Sequence, residues 1–265
     1  MSPMRDVNRR FHGVFIGINN YQDPRIRSLG YAVADAKGFY EMESGIFTEG
    51  ESNLRLILDR EATRKEIIKT IGEELPRLAR KQDLVLIYFA GHGSPETEGS
   101  IDRVSRYIIA YDTEFDNIFA TAIDMERELV HIIERIGSDL VIVILDTCFS
   151  GRAGGRTFEG PVLSRCRGSL RKQFKLAVLK LGEGRAILSA CGDNELAEED
   201  SALQHGVFTF HLLKTLGSTT ANSSVSLNEL YDKVSHDVHD YTRGRQTPVL
   251  NGRISMARLP VLKTI

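Results

Sequence analysis

The chain has 265 residues, 42% apolar and 26% charged, which suits one large soluble α/β domain or two small ones. A formal charge of -2 offers no global basic field for nucleic acid or an anionic membrane surface, and no apolar run approaches the length that spans a bilayer. Three widely spaced cysteines form neither a disulfide framework nor a zinc-type CxxC pair, which points to a reducing, cytoplasmic compartment.

Met1 to Arg10 is polar and charged, so residues 1–10 are expected to be a flexible segment, not a signal sequence, ahead of a single domain filling residues 1–265. Strands are expected at Val14–Ile18 and Leu54–Leu58. Thr63 and Glu66 have capping-box spacing ahead of Ile67, Ile68, Ile71 and Leu75, a helix that Pro76 should bend or end. Leu84–Phe89 and Leu140–Leu145 are continuous β-branched and aromatic runs, the pattern of strands buried on both faces. Ala186–Ala190 is a further strand, and helices are expected over 124–136, 169–181, 207–216 and 226–240. Strands alternating with helices predict an α/β fold with a mainly parallel central sheet and helices on both faces. Ligand sites in such sheets lie beyond the carboxyl ends of the strands.

Two strand ends carry unusual sequences. Leu84–Phe89 runs into Ala90-Gly91-His92-Gly93-Ser94, and Leu140–Leu145 runs into Asp146-Thr147-Cys148-Phe149-Ser150-Gly151. If the two strands are neighbours, His92 and Cys148 share one edge. Thiolate chemistry needs that pairing, because a free cysteine with a pKa of ~8.5 is mostly protonated at neutral pH and an imidazole can take its proton. The backbone N–H groups of Gly93 and Cys148 are candidate oxyanion donors. Taken singly, a buried cysteine or a histidine after a strand is more often structural; the glycine-flanked pair favours catalysis. Cys166 and Cys191 have no attached histidine motif and are expected to be structural.

The segments FAGHGS and ILDTCFSG resemble the two catalytic blocks of clan CD cysteine peptidases, the caspase/metacaspase (peptidase C14-like) group, and the 56-residue separation of His92 from Cys148 is near the ~50 of caspases. GINNY at 17–21, LGYAVADA at 29–36, ILSACGDNELAEE at 187–199, FTFHLLKTL at 208–216 and GRQTPVL at 244–250 extend the resemblance over roughly residues 11–260. Phe149 stands where eukaryotic metacaspases have His, and the Gln-Ala-Cys block of caspases is absent, so the chain is more similar to bacterial caspase-like peptidases. The resemblance implies the caspase-hemoglobinase fold, a Cys-His dyad, protein or peptide substrates, a regulatory protein partner of unknown identity, and no metal or cofactor in the chemical step. It names no third residue to orient His92.

Caspases place Arg in the S1 pocket and cut after Asp, whereas metacaspases place acids there and cut after Arg or Lys. Asp146 and Asp35 match the metacaspase acids, Ala32 replaces the Cys of that pattern, and Leu29 stands where a caspase Arg would be. The resemblance therefore implies an S1 pocket built on Asp35 and Asp146 for a basic P1 residue. Asp146 as a turn cap and Asp35 as an exposed helix residue are the structural alternatives. Asp193 to Asp200 holds five acids in eight residues, by default a solvated face and alternatively an attractor for basic residues or a cation site. Calcium-site positions known in some metacaspases are only partly matched, by Asp124, and calcium dependence is not expected. The stretch from Phe149 to Gly168 lacks regular structure and carries Arg152, Arg156, Arg165 and Arg167, each a candidate autocleavage site if the pocket takes Arg. Three rival readings are a non-catalytic caspase-like scaffold or regulator, a peptidase with acidic P1 preference, and a plain doubly wound binding domain with an incidental Cys.

Overall fold

A computed structural model describes residues 9–45, 52–97, 104–149, 155–156, 181, 183–192, 195–218, 224–254 and 258–260. In chain order, the elements are β1 (Phe11–Gly17), α1 (Ala32–Ser44), β2 (Ser52–Leu58), α2 (Arg64–Lys69), α3 (Leu75–Leu78), β3 (Leu84–Ala90), β4 (Gly93–Thr97), β5 (Val104–Ile108), α4 (Ile118–Thr121), β6 (Ile123–Asp124), α5 (Val130–Arg135), β7 (Leu140–Asp146), β8 (Arg185–Ser189), β9 (Glu199–Asp200), β10 (His205–Gly206), α6 (Val207–Gly217), β11 (Ser224–Ser226), α7 (Leu227–Tyr241), β12 (Val249–Arg253) and β13 (Arg258–Pro260). The expected helix at 169–181 lies outside the described residues except for Leu181, and so do residues 1–8.

Six strands form the central sheet in the order β12-β8-β7-β3-β1-β2. All its pairings are parallel except that of β12 with β8. The continuous apolar runs explain its place at the centre, because each strand feeds two cores by alternation. Val85, Ile87 and Phe89 of β3 face one core with Ile67, Ile71, Ile132 and Ile133 from the α2–α3 and α5 segments. Leu84, Leu86, Tyr88 and Ala90 face the other, with Phe39 of α1, Phe208 and Leu212 of α6, and Leu230 and Val234 of α7. Each aliphatic or Phe side chain buried in this way contributes roughly 1.5–3 kcal/mol.

Thr63 caps α2, its hydroxyl accepting from the Glu66 N–H at 3.2 Å. The chain then passes through a π-helical turn at Thr70–Glu74 before Leu75–Leu78. Pro76 falls in the first turn after that π segment, where its missing N–H is accommodated, so the helix is interrupted before the proline and ends shortly after it. Asp83 ties the amino ends of the central strands together: it accepts from the N–H groups of Arg10 and Arg80 and pairs with His12 at 3.1 Å. Arg10 is therefore already fixed to the sheet.

The register sets the opposite, carboxyl edge. β3 and β7 pair level, with Ala90 opposite Asp146, so His92 and Cys148 each stand two residues beyond the last pair.

Candidate active site

Cys148 is fully buried beyond β7, and its Sγ–H donates to the Glu195 carbonyl. His92 is also buried, packed beside Tyr21 with ring centroids 5.3 Å apart, and the Tyr21 hydroxyl accepts from its backbone N–H at 2.8 Å. The His92 Nε2 lies 2.7 Å from the Arg27 carbonyl. A carbonyl only accepts, so Nε2 carries the proton and the Nδ1 lone pair of the neutral ring is basic. Burial pushes the His92 pKa down to about 4, against the backbone groups of Arg27 and Arg156, which favour the protonated form. At neutral pH the ring is thus uncharged.

The Arg27 carbonyl fixes the orientation of the His92 ring, for which no side-chain partner stood out in the sequence. A backbone acceptor leaves no signature in residue type.

Gly93 opens β4 directly beside the cysteine. A Cβ at this position would lie 2.6 Å from the Cys148 carbonyl oxygen and 2.7 Å from Thr147 Oγ1, so any side chain would push the two catalytic-block backbones apart. The Gly93 N–H donates to the Arg156 carbonyl at 3.0 Å.

Beneath this carbonyl lies a buried ionic cluster. Asp35, in the first turn of α1, and Asp146, at the end of β7, are both fully buried. Arg156 is buried with them. Its Nη2 pairs with Asp35 and, at 3.2 Å, with Glu199, while Nη1 pairs with Asp146 at 2.8 Å. The Arg156 N–H donates to the Ala197 carbonyl at 3.1 Å. Further bonds hold the acids: Asp35 accepts from the Gly206 N–H and pairs with His205 at 2.6 Å, Asp146 accepts from Thr209, and Glu199 accepts from the N–H groups of Gly30 and Tyr31. Gly206 leaves the room that the guanidinium fills, since a Cβ there would lie 2.7 Å from Arg156 Nη2.

Burial raises the Asp146 pKa to about 6 although Arg156 pulls it down. The guanidinium responds in the opposite sense: burial lowers its pKa, yet Asp146 and Asp35 hold it well above the ordinary value. Two desolvated carboxylates and a third half-buried one are tolerated here because one cation meets all three.

Of the residues singled out from sequence, the structure places His92, Gly93 and Cys148 at one edge of the sheet, with Gly93 against the Cys148 backbone and hydrogen-bonded to Arg156, whose side chain pairs with Asp35 and Asp146. Arg152, Arg165 and Arg167 lie outside the described residues, as does Cys166. The acidic run is not a solvated face among its described residues. Glu195 accepts from the N–H groups of Gly192 and Thr247, Glu198 pairs with Arg245, and Asp200 accepts from the Tyr241 hydroxyl. Glu199, known from sequence only as part of that run, is the third acid of the cluster around Arg156. Asp124 caps the helical turn after β6 by accepting from the N–H groups of Glu126 and Arg127.

A mostly parallel sheet with Cys and His at level ends of its two central strands defines an α/β protein of the caspase type. Residues 10–256 match the caspase domain model, and the chain belongs to that peptidase family, Peptidase C14. Among solved structures it is similar to protein GSU0716 from Geobacter sulfurreducens, with a TM-score of 0.68 at 19% identity over 96% of this chain and 100% of the other. Caspase-1 from Spodoptera frugiperda matches with a TM-score of 0.62 at 11% identity, over 99% of this chain and 96% of that one. These likenesses carry the fold. No curated protein matches the chain in sequence. Family membership makes it a cysteine peptidase-type hydrolase, whose substrates are proteins or peptides. Among the described residues no helix is long and apolar enough to cross a membrane.

Proposed function

We propose that the protein is a cysteine endopeptidase that cuts after Arg, and also Lys, using Cys148 as nucleophile and His92 as base. The observation that carries this reading is the seating of Arg156. Its guanidinium meets three acids, its carbonyl accepts from Gly93 N–H and its N–H donates to Ala197. Those are the three contacts a P1 residue needs: a charge-matched pocket, an oxyanion donor and a backbone anchor.

The chemistry follows from the same atoms. His92 Nδ1 takes the Cys148 thiol proton, and the thiolate adds to the P1 carbonyl carbon. The resulting oxyanion is held by the N–H groups of Gly93 and Cys148. The protonated ring then gives its proton to the leaving amine, and water attacks the thioester to release the acid and the free thiol.

Fluorogenic peptides that differ only at P1 test the specificity. Cleavage after Arg is expected to dominate, with Lys second and Asp near background; preferential cleavage after Asp overturns the assignment of Asp35 and Asp146. Gly93→Ala keeps the N–H but sets a Cβ 2.6 Å from the Cys148 carbonyl oxygen, so the donor is displaced and hydrolysis is expected to fall by up to about 10²–10³-fold, the range for an oxyanion donor lost outright, with little change in KM for an Arg peptide. An unchanged kcat in that variant would exclude Gly93 from the oxyanion site.

The seating also selects one autocleavage site. Arg156 is the one of the four candidate arginines that lies among the described residues, and its P1-like contacts make the Arg156–Thr157 bond the expected self-processing site. Mass spectrometry of the incubated wild type should detect an end at Arg156 that Cys148→Ala never develops. An intact chain in an active preparation would mean that Arg156 occupies the pocket without being cut.

A further inference from the structure

Cys191 follows β8, the strand that pairs with β7 on the side opposite β3. The last β7–β8 pair is Leu145 opposite Ser189. Two residues further, that register sets Cys191 level with Thr147 and beside Cys148. The side chains meet there. The Cys191 Sγ lies 3.7 Å from the Thr147 carbonyl and 3.7 Å from the Glu195 carbonyl, the same oxygen that accepts from Cys148. The two thiols are themselves in hydrogen-bond contact, and both are free. Neighbouring strands run about 4.8 Å apart, and a one-residue offset keeps the two Cα atoms within the span of ~4.4–6.8 Å that a disulfide bridges. Packing alone would be met by any small apolar residue at 191. What it does not require is a second sulfur in contact with the first.

We propose that Cys191 is a resolving cysteine, which closes a reversible disulfide with Cys148 after a hydroperoxide has oxidised it. In the first step the Cys148 thiolate attacks the peroxide oxygen and the O–O bond breaks. Cys148 becomes a sulfenic acid, and the other peroxide oxygen leaves with the proton that the thiol gave up, as water or an alcohol. In the second, the Cys191 sulfur attacks the sulfenic sulfur, an S–S bond forms, and the sulfenic oxygen leaves as water with the Cys191 proton. A dithiol reductant restores both thiols. The order of events is built in: contact with Cys148 and burial both raise the Cys191 pKa, so it remains a thiol while the nucleophile reacts. Without Cys191, further peroxide carries Cys148 to the sulfinic acid, which dithiols do not reduce. A transient, sensing disulfide is the kind a reducing compartment permits.

The effect on peptidase activity rests on Cys148 being the nucleophile; the bond itself does not, and the experiment separates the two. Purified full-length wild type, Cys191→Ala and Cys191→Ser are treated with excess hydrogen peroxide, enough for more than one oxidation per thiol, then alkylated and mapped without reduction. The wild type is expected to yield a cross-linked peptide pair containing Cys148 and Cys191, lighter by two hydrogens than the reduced peptides and separated by dithiothreitol. Its hydrolysis of an Arg peptide should be lost with peroxide and recovered with dithiothreitol, whereas both variants, each compared with its own untreated activity, should stay inactive and carry sulfinic Cys148. A cross-link in a protein without hydrolytic activity leaves the disulfide standing and removes the peptidase reading. The proposal is overturned if wild-type Cys148 reaches the sulfinic acid as fast as in the variants, or if it pairs with Cys166.

Discussion

Cys148→Ala is expected to bring peptide hydrolysis down to background, and His92→Ala to lower it by about 10²–10⁴-fold, the usual contribution of a positioned general base. Removing the sulfur leaves a cavity no larger than a methyl group at a fully buried site, so the thermal stability of Cys148→Ala should fall by about 1 kcal/mol at most. Circular dichroism melts separate lost chemistry from lost fold. Added imidazole should partly restore His92→Ala and leave Cys148→Ala inactive. The pH response of the closed site has a definite sign. His92 titrates at about 4 here, below the 6.5 of a free imidazole. Its contribution is therefore fully present above pH 6.5 and is lost as pH falls toward about 4. Full turnover retained in Cys148→Ala would remove the proposed mechanism outright.

Arg156→Ala is expected to be the most destabilising single change in the described loop. It leaves Asp35 and Asp146 buried, with Glu199 beside them and no cation; breaking a buried pair from one side costs on the order of 3–5 kcal/mol. The deficit should depend on pH. Asp146 already titrates near 6 with the guanidinium present, and without it that carboxyl holds its proton more tightly still. A carboxyl raised above its unfolded pKa stabilises at low pH and loses that contribution as pH rises through the folded value. The gap in Tm between variant and wild type should thus widen from pH 5 to pH 8. Over the same range, the vacated pocket should take Arg peptides with a lower KM, and processing at Arg156–Thr157 should vanish. Equal melting temperatures at pH 8 would contradict a buried cluster held by Arg156.

Most of this arrangement was legible in the sequence because it lies on strands. The apolar runs at 84–89 and 140–145 became β3 and β7 with one residue added to each, and strand-end placement led directly to His92 and Cys148. The two acids were legible only through family resemblance, since neither Asp146 after a strand nor Asp35 in a helix differs by pattern from a turn cap or an exposed residue. What was hidden depends on pairing at long range. Glu199 reaches the pocket through contacts with residues 30, 31 and 156, and a charge run gives no sign of which acid turns inward. Arg27 contributes a carbonyl, invisible in residue type. Cys191 was expected to be structural for want of an attached histidine motif; the offset between β7 and β8 that brings it beside Cys148 is set by the sheet register and not by either local sequence. The small three-stranded sheet of β4, β5 and β6 was also missed, its strands being short and polar in part.

The occupant of the acid pocket is fastened to the chain eight residues after the nucleophile, and this alters how the protein should be titrated. A tethered occupant cannot be diluted or dialysed away, and its local concentration is fixed by the tether. A peptide that competes for the pocket then binds with an apparent Kd equal to the intrinsic value divided by the fraction of molecules in which Arg156 has withdrawn. Cutting the chain, which frees Arg156 from its tether, enlarges that fraction and tightens apparent substrate binding without changing a single atom of the pocket that receives it.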